Sequence, residues 1–180
     1  MPSVGEHIFA KEEVGIGQNV GENLHYKAEW EIIKYASDED LALGKPYETV
    51  HMDGNLLLNA GINLLLTLLA GGAGTAFSNA NAYLGVGDSS TAAAATQTGL
   101  QAATNKAYQA MDSSYPTYGS SQQIVFQGTF ASGAANFAWN EFGAFNAAAG
   151  GGTMFNRLVS SQGTKTAGQA WTLKLTITIS

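Results

Sequence analysis

The chain has 180 residues, of which 45% are hydrophobic and 12% are charged, and its formal net charge at pH 7 is −6. Its length suffices for one sizeable core. The eight Lys and Arg residues are scattered without a basic cluster, so we expect no nucleic-acid partner. The sequence has no cysteine, which excludes disulfides, thiolate catalysis and cysteine-based zinc sites.

The low charge is informative about the surface, because proteins usually have about 25% charged residues. Charge keeps free proteins soluble, so its scarcity favours a surface that neighbours cover in an assembly. We expect no targeting segment, since the N-terminus has neither a basic start nor an apolar run. The most apolar window, residues 56–70, is shorter than the ~20 residues of a membrane helix. We therefore expect no membrane partner.

Residues 1–24 are predicted to form an extended arm that precedes a single β-rich domain of residues 25–180. They contain four glycines and no sustained apolar period. Single apolar side chains are spaced along this arm, and we expect them to contact a partner surface. These side chains are Val4, Ile8, Phe9, Val14 and Ile16.

The first elements of the domain are predicted to be a hairpin and a helix. Residues 25–35 are typical of a strand, residues 36–48 of a polar turn, and residues 47–52 of the returning strand. The helix is expected over about 55–70, with Asn55 as its N-cap and Gly71-Gly72 at its end. Its apolar residues surround nearly the whole circumference, which predicts a helix buried on more than one side. Gly61 predicts close approach of another backbone.

The main strands are predicted from about residue 82 to residue 180. Short strands at this spacing predict an antiparallel β-sandwich or Greek-key-like domain. Candidate strands lie within 82–87, 105–111, 122–131, 136–146, 153–161 and 171–180, and the segment 89–103 is an Ala/Thr-rich excursion with room for one short helix. In the last strand Trp171 and every second residue to Ile179 are large and apolar, alternating with Thr and Lys. This pattern predicts a half-buried strand with a structural role for Trp171.

The segment 137–146, FAWNEFGAFN, places Glu141 among aromatic residues. In an extended strand Glu141 would share a face with Trp139. Glycosidase chemistry needs a second carboxylate, and residues 120–180 contain no other Asp or Glu. We therefore predict a structural Glu141, bonded to backbone N–H groups or to Arg157 or Lys165, because an unpaired buried charge is costly. No catalytic residue is predicted.

No motif predicts a metal or cofactor site. His7, His25 and His51 have spacings that match no metal motif, and the acidic run 38–40 lacks the ligand spacing of a calcium loop, so a solvated turn is expected. The G-x-G within residues 83–88 lacks the rest of a nucleotide-binding pattern. The aromatic residues could form a sugar platform, although the sandwich core explains most of them better: Phe126, Phe130, Phe137, Trp139, Phe142, Phe145 and Phe155.

The order of the motifs over residues 54–180 resembles a group of tailed-bacteriophage virion proteins. The segments GNLLLNAGINLLLTLLAG, YLGVGDSSTAAAATQTGLQ, VFQGTFASGAANFAWNEFGAFNAAAGGGTMFNR and GTKTAGQAWTLKLTITIS carry the resemblance. The order G-x-G-D, E-x-G-x-F, K-T and a terminal strand is also similar to the attachment domains of phage tail-collar fibres. Residues 1–53 lie outside the resemblance.

The resemblance implies a non-enzymatic virion structural protein, made in the cytoplasm of the host bacterium. No heptads or shaft repeats follow the last strand in this sequence, which favours a capsid decoration (cement) protein on the virion surface over a fibre. Its expected partners are the major capsid protein or other virion proteins and further copies of itself, as a trimer or dimer. A tail or baseplate component that docks fibres is the first alternative, and a host-glycan-binding module is the second.

Overall fold

Two five-stranded antiparallel sheets form the framework of the computed structural model, which describes residues 25–148 and 151–180. The strands are β1 Tyr26–Tyr35, β2 Glu48–Asp53, β3 Leu56–Leu57, β4 Tyr83–Gly87, β5 Lys106–Ala110, β6 Thr117–Ser120, β7 Gln123–Phe130, β8 Glu141–Phe145, β9 Met154–Val159 and β10 Ala170–Ile179. The helices are α1 Asp38–Ala42 and α2 Asn59–Leu69. The first sheet has the order β2-β1-β10-β7-β6 and the second β3-β9-β8-β4-β5. The predicted mainly β class is confirmed.

The predicted arm lies outside the described residues. This holds for residues 1–24, for the five apolar side chains assigned to partner binding, and for His7. Those assignments stay predictions.

The terminal strand β10 lies between β1 and β7 in the first sheet. Its side chains alternate as predicted, with Trp171, Leu173, Leu175 and Ile177 buried in the core. Thr172 on the opposite face is buried as well, because its hydroxyl lies 2.9 Å from the Thr129 hydroxyl, which donates to an Asp112 oxygen at 2.8 Å. A polar residue is thus buried on this face where its hydrogen bonds are made within the sheet.

The hairpin of β1 and β2 is formed as predicted, but its turn is not the solvated loop that the acidic run indicated. Residues 38–42 form the short helix α1, whose first turn is acidic. The Ser37 hydroxyl accepts the Asp40 N–H at 3.0 Å and so caps the helix. Acidic residues in a first turn favour a helix through the helix dipole, which explains the difference.

One hydrophobic core joins the two sheets and gives a sandwich-like arrangement. Trp30 of β1 packs on Phe142 of β8, with ring centroids 5.9 Å apart. Trp139 contacts Phe130 at 4.8 Å and Trp171 at 4.9 Å, both edge-on. Tilted and edge-to-face aromatic pairs of this kind stabilise a core beyond the area that they bury.

The second sheet also has a covered outer face. Along β8 Phe142 and Ala144 point to the shared core, while Phe145 joins a smaller cluster beneath the loop of residues 88–105. That cluster consists of Leu58, Leu100, Phe145 and Met154. The prediction that Glu141 shares a face with Trp139 is therefore wrong. Residues 137–140 bend before the strand begins, with the Trp139 N–H bonded to the Gly163 oxygen, so Trp139 enters the core and Glu141 faces outward.

Helix α2 differs from its predicted start. It begins at Asn59 after Leu58, and Asn55 does not cap it. Instead Asn55 donates its side-chain N–H to the Tyr26 hydroxyl at 2.6 Å. Burial raises the pKa of Tyr26 to about 12. At the other end Gly71 adopts a φ of 71°, the left-handed conformation that the predicted glycine stop provides.

The prediction that α2 is buried on more than one side is wrong. One side lies on β9, where a Cβ at Gly61 would come within 2.8 Å of the Phe155 Cα, so the predicted close backbone approach is confirmed. The opposite side is exposed at Ile62, Leu65, Leu66 and Leu69. Apolar residues around the whole circumference of a helix are buried only where other elements cover each side. Within the described residues nothing covers this side of α2.

Three smaller features also differ from the predictions. Residues 89–103 form an irregular loop without the short helix, and strands β3 and β6 were not predicted. The strand expected over 136–146 is limited to its second half, β8.

Candidate functional site

Glu141 is fully buried on the outer face of the second sheet, beneath the loop of residues 88–105. Its Oε1 accepts the Ala102 N–H at 2.7 Å, and its Oε2 accepts the Gln101 N–H at 2.8 Å. The same Oε2 lies 2.9 Å from Arg157 Nε and 2.8 Å from Arg157 Nη2. The carboxylate thus accepts three hydrogen bonds, two from the loop and one from Arg157 Nε on the neighbouring strand β9, and Arg157 Nη2 adds a close charge contact.

Arg157 extends this contact to the rest of the loop. Its side chain is fully buried, and its Nη1 donates to Gln97 Oε1 at 3.0 Å while its Nη2 donates to the Thr91 oxygen at 2.9 Å. Gln97 Oε1 also accepts the Ala94 N–H at 2.9 Å. A buried guanidinium needs such partners for its donors, and here they hold residues 91–102 on the sheet. We call Glu141 and Arg157 the buried ion pair.

The glycines of β4 provide the space for this arrangement. A Cβ at Gly87 would lie 3.0 Å from the Ala102 Cβ and would collide with Glu141, its partner in the adjacent strand. A Cβ at Gly85 would lie 2.7 Å from the Phe145 ring. The G-x-G pattern therefore makes room for side chains on the outer face of the sheet.

The geometry of the buried ion pair is that of a structural clamp. Glu141 is 0% exposed and its oxygens accept hydrogen bonds from N–H donors of the protein. Its carboxylate is therefore not within hydrogen-bond distance of any site that a substrate could occupy, as a general acid or base must be. Burial, and secondarily the negative charge of Glu141, raise the pKa of nearby Tyr108. Within residues 25–148 and 151–180 no group of three or more His, Cys, Asp or Glu side chains could hold a metal ion.

Lys165, the other cation predicted near Glu141, forms a separate clamp. It is fully buried, and its Nζ donates to the Ala131 oxygen at 2.9 Å, the Ala134 oxygen at 2.8 Å and Asn136 Oδ1 at 2.8 Å. Burial lowers the pKa of Lys165, and the negative charge of Asp38 acts in the opposite direction. The prediction that Glu141 is bonded to backbone N–H groups or to one of these two cations is thus confirmed, and the cation is Arg157.

Asp38 holds the same loop from its other side. Its carboxylate accepts the N–H of Ser132 at 3.0 Å and also the Ser132 hydroxyl. These hydrogen bonds hold the pKa of Asp38 below its ordinary value. Lys165 and Asp38 together therefore fix the loop of residues 131–136 against α1.

We expect Asp38→Asn to lower the free energy of unfolding at neutral pH and to lower it less in acid. The folded pKa of Asp38 is depressed, so its contribution is present above the unfolded pKa of about 3.9 and is lost as the pH falls through the folded pKa. Urea unfolding of both proteins from neutral pH to about pH 3 measures this difference. Glu39→Gln, which removes an exposed carboxylate from the same helix, gives the background change. A deficit that stays constant with pH would contradict the assignment.

The large aromatic side chains belong to the two cores. Phe126, Phe130, Trp139, Phe142 and Phe145 are buried, while Phe137 and Phe155 are partly buried and pack on the shared core. The structure thus places the candidate sugar platform inside the protein. Trp171 is buried too, and Lys34 Nζ lies 4.6 Å from its ring centroid, a cation–π distance.

The two described histidines lie on the first sheet, away from the buried ion pair. His51 is exposed, with Nδ1 3.3 Å from a Glu31 oxygen. His25 precedes β1 and exchanges backbone hydrogen bonds with Ser180, its N–H to the Ser180 oxygen at 2.7 Å and the return bond at 3.0 Å.

One end of the sandwich has an uncharged apolar surface. The exposed side chains of Ile62, Leu65, Leu66 and Leu69, which we call the α2 surface, lie beside an apolar cleft of about 110 Å³ that includes Leu65 and Ile179. Ile179 is paired with Tyr26, the first residue of β1, so residues 1–24 join the domain at this end. A sequence signal for the surface exists, since no Asp, Glu, Lys, Arg or His occurs between Asp53 and Asp88.

The hydrogen-bond partners of the two clamps, which are the buried ion pair and the pair of Lys165 and Asp38, were not predicted. Thr91, Gln97, Gln101, Ala102 and Ser132 contact Glu141, Arg157 or Asp38 from loops. Loop residues of these types carry no spacing signal for such contacts.

Comparison of the chain with protein-family models, curated proteins and solved structures gives no match in any of the three. Among the residues that the structure describes, neither helix has the length and apolar character needed to cross a membrane.

Proposed function

We propose that the chain is a non-enzymatic structural protein of a tailed-bacteriophage virion, and that it decorates the outer surface of the capsid shell. The observation that carries the proposal is the α2 surface, an apolar surface suited to contacts between the repeated copies of an assembly, at the end of the sandwich where residues 1–24 join. Contiguous exposed apolar side chains mark surfaces that bind other proteins. The motif order shared with virion proteins over residues 54–180 supports the same function.

The hydrogen bonds of four charged side chains, three of them buried and one exposed, support a structural role. Hydrogen bonds from the buried ion pair hold the loop of residues 88–105 on the sandwich. Hydrogen bonds from Lys165 and Asp38 hold the loop of residues 131–136. Loops fixed in this way give the domain a rigid outer surface, which suits a protein that repeats the same contact at every position of a shell. A decoration protein that binds the assembled shell more strongly than its separated subunits stabilises the shell by mass action.

The major capsid protein is the proposed partner, and the low charge of the chain suits a surface covered by it. A tail or baseplate component that docks fibres would use the same end of the domain. The similarity of the motif order to tail-collar attachment domains keeps this as the second candidate. Copy number per particle separates the two, because a shell binds many copies and a baseplate few.

The predicted arm provides a test of attachment. Deleting residues 1–24 should leave the thermal midpoint of the isolated domain nearly unchanged, because these residues lack the apolar period needed to join the core. The deletion should weaken attachment, since the apolar side chains of residues 1–24 contact the partner in the proposed assembly. The measurement is loss of the protein from purified particles on mild heating.

A length-matched variant separates the apolar contacts from the chain itself. Replacing Val4, Ile8, Phe9, Val14 and Ile16 by Ser should weaken attachment as much as the deletion does. Unfolding of the truncated domain would place residues 1–24 in the core. Attachment equal to that of the full chain would show that they are not the anchor.

A further inference from the structure

We infer that the α2 surface binds the α2 surface of a second copy of this chain, as two antiparallel helices related by a twofold axis. The inference adds to the proposed function the contact through which copies meet. It is tested on purified protein without particles, so its failure and the failure of the virion proposal are distinguishable.

The first support is the spacing of the exposed residues. Ile62, Leu65, Leu66 and Leu69 are 37, 40, 56 and 82% exposed, and they follow the order i, i+3, i+4, i+7 along one side of the helix. This spacing forms a straight apolar stripe that packs into the matching stripe of another helix. A stripe that is its own complement suits a twofold contact, in which the same patch serves both copies.

One other side of α2 packs on β9, and another is partly covered by the segment that follows the helix. Gly61 lies against the backbone of Phe155 in β9. The segment after the helix folds back, so that a Cβ at Gly74 would lie 2.9 Å from Leu64 and 3.3 Å from Leu68. Leu64 and Leu68 are therefore partly covered, and among the described residues the α2 surface is the most exposed side of the helix.

Charge favours a second copy in the antiparallel orientation. The chain has a net charge of −6, so two copies repel each other least when they meet through a surface without charge, and residues 54–87 carry none. The first turn of α2 has no acidic residue, its last turn has no basic residue, and its N-cap makes no side-chain hydrogen bond. The helix dipole is thus uncompensated by side chains, and an antiparallel neighbour places a negative helix end beside each positive one.

The size of the surface predicts a weak dimer. A helix of 11 residues is about 16 Å long, and four side chains on one side of so short a helix bury less than the ~800 Å² per partner of a standard interface. We therefore expect dissociation at low concentration and association at high concentration, as on a crowded particle surface. Analytical ultracentrifugation of the full chain over a concentration series should give a monomer–dimer equilibrium.

Leu66→Glu should weaken this equilibrium at least about tenfold, because it places a carboxylate from each copy in the contact. Leu43→Glu is the matched control, since Leu43 is 57% exposed and follows α1. It should leave the equilibrium unchanged, and thermal midpoints should show that both variants fold. A wild-type monomer at every concentration, or equal effects of the two substitutions, would overturn the inference.

Single cysteines test the orientation, since the chain has none of its own. In an antiparallel pair Leu66→Cys lies near the axis and should form a disulfide with its own copy on mild oxidation. Ile62→Cys should react with Leu69→Cys in a mixture, and neither should dimerise alone. Self-coupling at Ile62→Cys, or a trimer, would contradict the twofold geometry. Loss of the dimer on deleting residues 1–24 would show that the arm makes the contact between copies and would overturn the inference.

Discussion

Replacing Glu141 by Gln is expected to lower the free energy of unfolding by about 3–5 kcal/mol. The substitution keeps the shape of the side chain and removes its charge, which leaves the fully buried guanidinium of Arg157 without its counterion. Removing one member of a buried pair costs more than the pair contributes, because the remaining charge stays desolvated. Chemical denaturation of the isolated protein measures the loss.

Two further variants identify the cause. Arg157→Met removes the other charge, and the double variant removes both, so the double variant should lose less than the sum of the two single losses. Lys27→Met is the control, because it breaks an exposed ion pair of 2.7 Å with Glu29 and should cost little. Additive losses would mean that the two charges do not stabilise each other. A polysaccharide-hydrolysing activity that Glu141→Gln abolishes would overturn the structural role itself.

Trp171→Ala is expected to be as severe, with a loss of about 3–5 kcal/mol. The side chain is 2% exposed at the start of the central strand β10, between the ring of Trp139 and the ammonium group of Lys34. Its removal leaves a cavity where the two sheets meet, and a rigid aromatic neighbourhood does not collapse to fill it.

Thr176→Ala is the matched control for the terminal strand. Thr176 lies on the other face of β10 and is partly exposed, so its loss should stay within about 1 kcal/mol. Urea midpoints of the two variants compare the faces directly. Equal midpoints would contradict the assignment of the Trp171 face to the core.

Strands with regular alternation could be predicted from the sequence because one of their faces is buried. In β10 the sequence period of two is unbroken from Trp171 to Ile179, and the observed burial follows it except at Thr172, which is buried, and at Ile179, which is partly exposed. The hairpin of β1 and β2 could be predicted for the same reason, since turn residues separate two apolar runs. The helix of residues 38–42 was missed because its first-turn charges are equally typical of a solvated turn.

The clamps could be predicted only in part. A lone carboxylate in an apolar strand requires a partner, which is why Arg157 could be named beforehand. Its loop partners Gln101 and Ala102 offer backbone N–H groups, which every residue has, so no sequence pattern marks them. The face of Glu141 was predicted wrongly because the bend at residues 137–140 depends on long-range backbone bonds to Gly87 and Gly163.

The exposure of α2 is a third kind of case. Its apolar composition predicts burial, and in the structure of residues 25–148 and 151–180 one apolar side is exposed. The sequence does contain the relevant signal, namely the uncharged stretch between Asp53 and Asp88. An uncharged apolar stretch is equally typical of a helix in the core and of a helix in an interface, so the sequence of one chain does not distinguish the two.

The proposal that this chain decorates a phage capsid is tested most directly by its copy number in purified particles. Quantitative mass spectrometry of particles from the bacterial culture that produces the chain compares it with the major capsid protein. The proposal predicts a copy number comparable to that of the major capsid protein and retained after extensive washing. A small fixed number per particle would assign the chain to the tail, and its absence from particles would contradict a virion role altogether.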